Sequence, residues 1–296
     1  ALGAMRARML NKMSATGDPY LQDFQELVSK TETTDQPILL MDFESVDAGT
    51  PTERLLQHEH LSLAPGEGTG GSTGLHATYV GYERGSQRIV RTVPLPEPGL
   101  EFSLNYDVRF EPDFQFVKGG KLLGLGPENR VTGGRPIVPE GWSARVMFRK
   151  GGVAELYTYH QDMQRQYGDH GESVKPFRFD KARWYAVTLH IRVNDPPESS
   201  NGFSRLYIDG ELIQKHESLK LRGAGGPSTL VNDFLFSSFH GGHEPDWAPK
   251  NEDGSYKTVH ATFDNISVYE GEHIRQQAVG MNPGAESPPG INGNKR

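Results

Sequence analysis

The segment SARVMFRKGGVAELYTY, residues 143–159, places a hydroxyl, a guanidinium and two phenols at odd positions: Ser143, Arg145, Tyr157 and Tyr159. A three-residue turn of Lys150, Gly151 and Gly152, with Gly152 left-handed, sets Arg145 opposite Tyr157 and Ser143 opposite Tyr159. The same register collects Ala144, Val146, Phe148, Ala154, Leu156 and Thr158 on the other face. A two-residue Gly-Gly loop would set Arg145 against Thr158 and mix the faces, so burial of the apolar set selects the first register. The four polar groups then form one patch. A plain wet sheet face has much the same composition. The preceding FVKGGKLLGLG, residues 116–126, adds the chemistry: its glycines permit close backbone approach, and Lys118 and Lys121 bring charge to an otherwise apolar strand. A lysine beside Arg145 has its ammonium form disfavoured by like charge and partial burial, which moves its pKa toward that of a useful base.

The wider charge pattern agrees. The chain of 296 residues carries a net charge of −7, which argues against general nucleic-acid binding. Residues 118–150 nevertheless hold seven bases (Lys118, Lys121, Arg130, Arg135, Arg145, Arg149, Lys150) against two acids (Glu128, Glu140), an excess that suits a solvated charged face or, since it overlaps the hairpin, a site for a polyanion. Cysteine is absent, so neither disulfides nor thiolate metal sites arise. The longest apolar runs, such as PILLM at 37–41, fall far short of a membrane span.

These side chains need elements to hold them, and the chain reads as strands. LEFSLNYDVRF, 100–110, alternates Leu100, Phe102, Leu104, Tyr106, Val108 and Phe110 with polar residues, which predicts one core face and one wet face. WYAVTLHIRVN, 184–194, alternates likewise, and FSRLYIDGELI, 203–213, predicts a hairpin turning at Asp209-Gly210. Further strands are expected at NDFLFSSF and ATFDNISVYE. A short helix is predicted in 18–30, where Tyr20, Phe24, Leu27 and Val28 fall at helical spacing behind Asp18. GEGTGGSTG, 66–74, lacks the Gly-Lys-Ser/Thr ending of a phosphate loop and is expected to be a flexible connection. The organisation is an N-terminal extension over 1–36, an all-β jelly roll of two curved antiparallel sheets over 37–272, and a loose Pro/Gly-rich tail over 273–296.

FHGGHEPDW, 239–247, gathers His240, His243, Glu244 and Asp246, but the spacing matches no usual zinc signature and a glycine-bearing loop is a poor rigid platform. Trp247 is equally suited to stacking on a sugar ring and to packing its own loop. HQDMQRQYGDHGES, 160–173, reads as a loop beside the active strand, with His160 and His170 expected to be solvent-exposed. A glycoside hydrolase would want two carboxylates at fixed separation; EPDFQ, 111–115, comes nearest and lacks the second glutamate.

Taken in order, GGKL (119–122), GG (133–134), GWSARVMFRKGG (141–152), ELYTY (155–159), FSSFHGG (236–242), DWAP (246–249) and FDNISVYEG (263–271) resemble polysaccharide lyase family 14, from about Leu100 to Gly271. Two departures stand out: Leu123 where members often carry proline after Gly-Lys-Leu, and Thr132 where cysteine commonly precedes Gly-Gly. The resemblance implies a β-jelly roll that cleaves alginate or a related polyuronate, with Lys121, Ser143, Arg145, Tyr157 and Tyr159 in the active site. It implies β-elimination, with Lys121 as base, Tyr157 or Tyr159 as acid, Arg145 neutralising the uronate carboxylate and Ser143 orienting the substrate. Lys118, Arg135, His240, His243 and Trp247 are expected to bind substrate. Nothing in the pattern demands a metal or cofactor. The expected partner is an acidic polysaccharide, mannuronate-rich alginate first, with no nucleic acid and no membrane, acted on by a secreted or periplasmic monomer. The alternatives are a glucuronan lyase, or a carbohydrate-binding module that uses the same cations without cleaving.

Overall fold

The computed structural model describes residues 36–280. The helix predicted in 18–30 and the final residues of the tail lie outside the described residues. Fifteen strands occur among them: β1 (Leu39–Met41), β2 (Leu61–Ala64), β3 (Gly74–Tyr82), β4 (Gly85–Ser86), β5 (Ile89–Gly99), β6 (Glu101–Phe110), β7 (Gly119–Gly126), β8 (Ser143–Arg149), β9 (Ala154–Tyr159), β10 (Glu172–Ser173), β11 (Trp184–Arg192), β12 (Gly202–Ile208), β13 (Glu211–Leu219), β14 (Val231–His240) and β15 (Thr258–Glu270). A six-residue helix, α1 (Pro51–Leu56), is capped by the Thr50 side chain.

The strands form two antiparallel sheets of a β-jelly roll. One has five strands in the order β5-β14-β7-β8-β9; the other has ten, running β10-β13-β12-β11-β6-β15-β3-β2, with β1 beside β15 and β4 beside β3. Their facing surfaces make the core. Phe102, Leu104, Tyr106, Val108 and Phe110 of β6 and Tyr185, Val187, Leu189 and Ile191 of β11 point into it, as their alternation predicts. Ala144, Val146, Phe148, Ala154 and Leu156 meet them from β8 and β9. The hairpin at Asp209-Gly210 closes as predicted, with Ile208 opposite Glu211 and both turn residues at positive φ.

The second face of β6 is not wet. Ser103, Asn105 and Asp107 are fully buried, because residues 271–280 fold back across them. Ser103 donates to the Gly271 carbonyl (2.8 Å) and Asn105 to that of His273 (3.1 Å), while Asp107 accepts from the Arg275 guanidinium and the Val279 N–H (both 3.1 Å). The alternation of β6 reports which residues point the same way; it does not say that polar ones face water. The ordered domain therefore extends past the expected boundary at 272. The glycine-rich stretch 66–74 departs from expectation in the same manner. Buried Asp264 accepts hydrogen bonds from the Thr69 N–H (2.8 Å), the Thr69 hydroxyl (3.0 Å) and the Ser72 hydroxyl (2.8 Å), so the stretch is a fastened turn.

Arg275→Ala would leave the Asp107 carboxylate buried without its cation, which costs about 3 kcal/mol. A clear fall in the thermal midpoint is expected, with activity at low temperature kept because the cleft described below lies on the other sheet. An unchanged midpoint would show that residues 271–280 do not hold this face.

Candidate active site

The outer face of the five-stranded sheet forms the floor of a cleft of about 1470 Å³. The hairpin of β8 and β9 adopts the predicted register, with Ser143 opposite Tyr159 and Arg145 opposite Tyr157. Its turn differs slightly: Gly151 and Gly152 both take positive φ, at 67° and 80°. Arg145 and Tyr157 line the cleft, and Arg149, on the same odd-numbered face, joins them.

Lys121 reaches the floor because β7 breaks its alternation. Lys121 pairs with Met147 and Gly124 with Arg145, so two residues of β7 lie across from Val146 alone. This bulge turns Leu122 and Leu123 both into the core, leaving Lys121 and Gly124 facing outward. The pair of adjacent leucines was the sequence's trace of it. A side chain at Gly124 would collide with the Arg145 stem, since an added Cβ would sit 2.3 Å from Arg145 Cγ.

The resulting geometry is a set of cations around one phenol ring. Lys121 Nζ lies 5.2 Å, Arg145 Cζ 5.4 Å and Arg149 Cζ 5.9 Å from the Tyr157 ring centroid. Lys121 Nζ is also 5.3 Å from the Phe239 ring. Burial, followed by the fields of Arg145, Arg149 and Arg88, lowers the Lys121 pKa to about 7. Burial also lowers that of Arg145, whose guanidinium is intrinsically basic enough to stay charged. Arg145 is only 3% exposed; Nη1 has a long contact to Ser237 Oγ (3.5 Å), and Nε and Nη2 have no partner among the described residues. Buried donors without acceptors mark a place prepared for an anion.

The two tyrosines divide. Tyr157 lines the cleft, whereas Tyr159 is fully buried behind it. Their hydroxyls are 3.4 Å apart, and the Tyr159 oxygen accepts the Gly134 N–H (2.9 Å). Burial, then the hydrogen bond and field of Tyr159, raise the Tyr157 pKa, so Tyr157 holds its proton.

Several expected residues have other work. Ser143 is fully buried and donates to the Val131 carbonyl (2.7 Å), anchoring the 127–142 loop; it does not reach the cleft. His240 points into the core, hydrogen-bonds the Gln115 carbonyl (2.7 Å), stacks on Phe114, and is held neutral by burial with a pKa near 4. The residue falls on the inward face of β14, so it cannot touch substrate. His160 is buried against Asp169 (3.0 Å) rather than solvent-exposed, while His170 is exposed at the cleft wall. Lys118, Arg135, His243 and Trp247 do line the cleft. Lys118 is bound to Glu244 and Asp246 (both 3.3 Å), which raise its pKa, and so fastens the loop that carries His243 and Trp247. Among the described residues no group of three or more His, Asp or Glu side chains is set to hold a metal.

Residues that local reading did not single out complete the cleft. Arg88 and Arg91 come from the β5 side, Arg165 and Tyr167 from the loop after β9, and Phe239 from β14. Arg130 and Arg149, both within the basic run 118–150, also line it, and Arg149 does so from the hairpin's odd face. In all, nine Lys and Arg side chains line the cleft against three Glu.

The profile of the polysaccharide lyase 14 family matches residues 83–263. No curated protein sequence matches the chain. Among solved structures, a doubly substituted form of the alginate lyase Aly36B in complex with an alginate tetrasaccharide is similar at 19% identity and a TM-score of 0.63, covering 80% of this chain and 98% of that one. The PL-14 alginate lyase from Aplysia kurodai is similar at 21% identity and a TM-score of 0.58, covering 79% and 99%. The endo-β-1,4-glucuronan lyase from Trichoderma reesei is similar at 14% identity and a TM-score of 0.50, covering 71% and 86%. With the profile spanning both the hairpin and the strand that carries Lys121, the chain belongs to the polysaccharide lyase 14 family and is a polysaccharide lyase.

Proposed function

We propose that the protein cleaves a 1,4-linked polyuronate, with mannuronate-rich alginate as the preferred polymer, by β-elimination. The observation that carries this reading is the buried Arg145 guanidinium, with two unpartnered donors, beside a lysine whose pKa is near 7. The C5 proton of a uronate is barely acidic while the neighbouring carboxylate keeps its charge. Arg145 takes that carboxylate and stabilises the enediolate that forms as the proton leaves. The neutral Lys121 amine accepts the C5 proton. The electron pair forms the C4–C5 double bond, the C4–O4 bond breaks, and the departing oxygen takes the proton of Tyr157. Tyr159, fixed by Gly134, orients that phenol from behind. The positive cleft suits a polyanion, and the alginate bound to Aly36B supports this choice of polymer. A polymer of this size is met outside the cytoplasm, which makes a secreted or periplasmic monomer the fitting form.

Lys121→Ala should lower the release of unsaturated ends, followed at 235 nm, by ~10²–10⁴-fold with the circular dichroism unchanged. Undiminished release would eliminate Lys121 as the base. Because the lysine must be neutral to act, kcat/KM should rise tenfold per pH unit below about 7 and level above it. A profile flat from pH 5 to 8 would contradict the assignment. Tyr157→Phe should cost at least tenfold more activity than Tyr159→Phe, and the reverse order would move the acid to Tyr159. Polymannuronate, polyguluronate and glucuronan assayed side by side identify the polymer, and faster cleavage of glucuronan would overturn the alginate assignment.

A further inference from the structure

The bulge that aims Lys121 is held from behind by two buried hydroxyls. β7 has two residues between Lys121 and Gly124, while β14 has three between their partners Phe239 and Leu235. At this slip Ser238, on the inward face of β14, donates its hydroxyl proton to the Lys121 carbonyl (3.0 Å). Ser238 has one proton to give, so the Tyr79 hydroxyl, 2.6 Å from Ser238 Oγ, must be the donor in that second bond. Both side chains are fully buried. Tyr79 comes from β3 of the opposite sheet, and its ring packs edge-on to Phe114 and His240. A chain of hydrogen bonds thus crosses the sandwich and ends on the backbone of the lysine.

Burying a phenol and a hydroxyl between two sheets is costlier than filling the same space with phenylalanine and alanine. Apart from each other, the only partner these two hydroxyls have among the described residues is the Lys121 carbonyl. A one-residue slip in β7 would flip Lys121 into the core and an apolar neighbour onto the floor. On the outer side the ammonium lies against Gly241, where an added Cβ would stand 2.7 Å from Nζ. The backbone of the lysine is therefore held from the inner face of the sheet, while its head lies beside Gly241 on the outer face.

We infer that Ser238, itself held by Tyr79, is a positioning residue for the lyase reaction: it pins the Lys121 carbonyl at the bulge so that the amine stays in the partly dry, cation-rich place where it works as a base. This rests on the proposed role of Lys121. Without the bond, Nζ gains freedom to move toward solvent, where its neutral form is less favoured.

The test compares Ser238→Ala, Ser238→Thr and Tyr79→Phe with the unaltered enzyme and with Lys121→Ala, on polymannuronate, over pH 5–9. Ser238→Ala is expected to lower kcat by about ten- to a hundredfold, to leave KM within twofold, and to move the acid limb of the pH profile upward. Ser238→Thr, which keeps the hydroxyl, is expected to restore most of kcat. Tyr79→Phe, which leaves Ser238 its bond to the carbonyl, is expected to shift kcat and the limb in the same direction by less, and serves if Ser238→Ala fails to fold. Unaltered kcat and acid limb in Ser238→Ala or, where that variant does not fold, in Tyr79→Phe would overturn the inference, as would a loss with an unmoved limb or one that threonine does not relieve. If Lys121→Ala is inactive in that case, the base assignment survives the loss of the positioning role; an active Lys121→Ala overturns both.

Discussion

The site depends on holding several positive charges close together in a place with little water. Arg145, Arg149 and Lys121 surround one phenol ring, and their mutual repulsion would scatter them on a mobile surface. The strain is relieved unequally because the groups differ in basicity. A guanidinium keeps its proton under these conditions, whereas an amine gives its proton up. Burial first, and this repulsion after it, bring the Lys121 pKa down to about 7, as the proposed base requires, and a substrate carboxylate is the proposed partner for Arg145.

The sandwich supplies the rigidity for this. β7 and β8 are inner strands of the five-stranded sheet, so the Lys121 and Arg145 backbones are paired on both sides. Beneath them the floor rests on Phe148, Phe114 and Phe110 in the core. Ser143 and the Tyr159 hydroxyl tie the 127–142 loop to the hairpin, and Lys118 ties the 241–247 loop through Glu244 and Asp246. The cleft walls are therefore anchored to the strands that carry the reactive groups. That places polar residues where the sequence suggests substrate contact, although their partners are the protein's own backbone and loops.

What could be read in advance followed from periodicity. Alternation of two fixes which residues of β8 and β9 share a face, and burial of the apolar set fixes their register, so Arg145 opposite Tyr157 was legible without coordinates. Alternation failed where it was asked for depth. Ser143 and Tyr159 lie on the outward face yet are covered by the 127–142 loop, and Ser103, Asn105 and Asp107 are covered by residues 271–280. His240 failed by one position: its neighbour Phe239 points into the cleft, so His240 points into the core.

The sequence by itself determined the strand periods, the hairpin register and the family, because these depend on local order and on motifs that lie along the chain. Only the tertiary structure decided that Lys121 faces the cleft, that Arg88 approaches from the segment leading into β5, and which tyrosine lines the cleft. Those follow from a bulge and from loops folding over a sheet. Both are set by contacts between residues far apart in the chain, and no repeat along it records them.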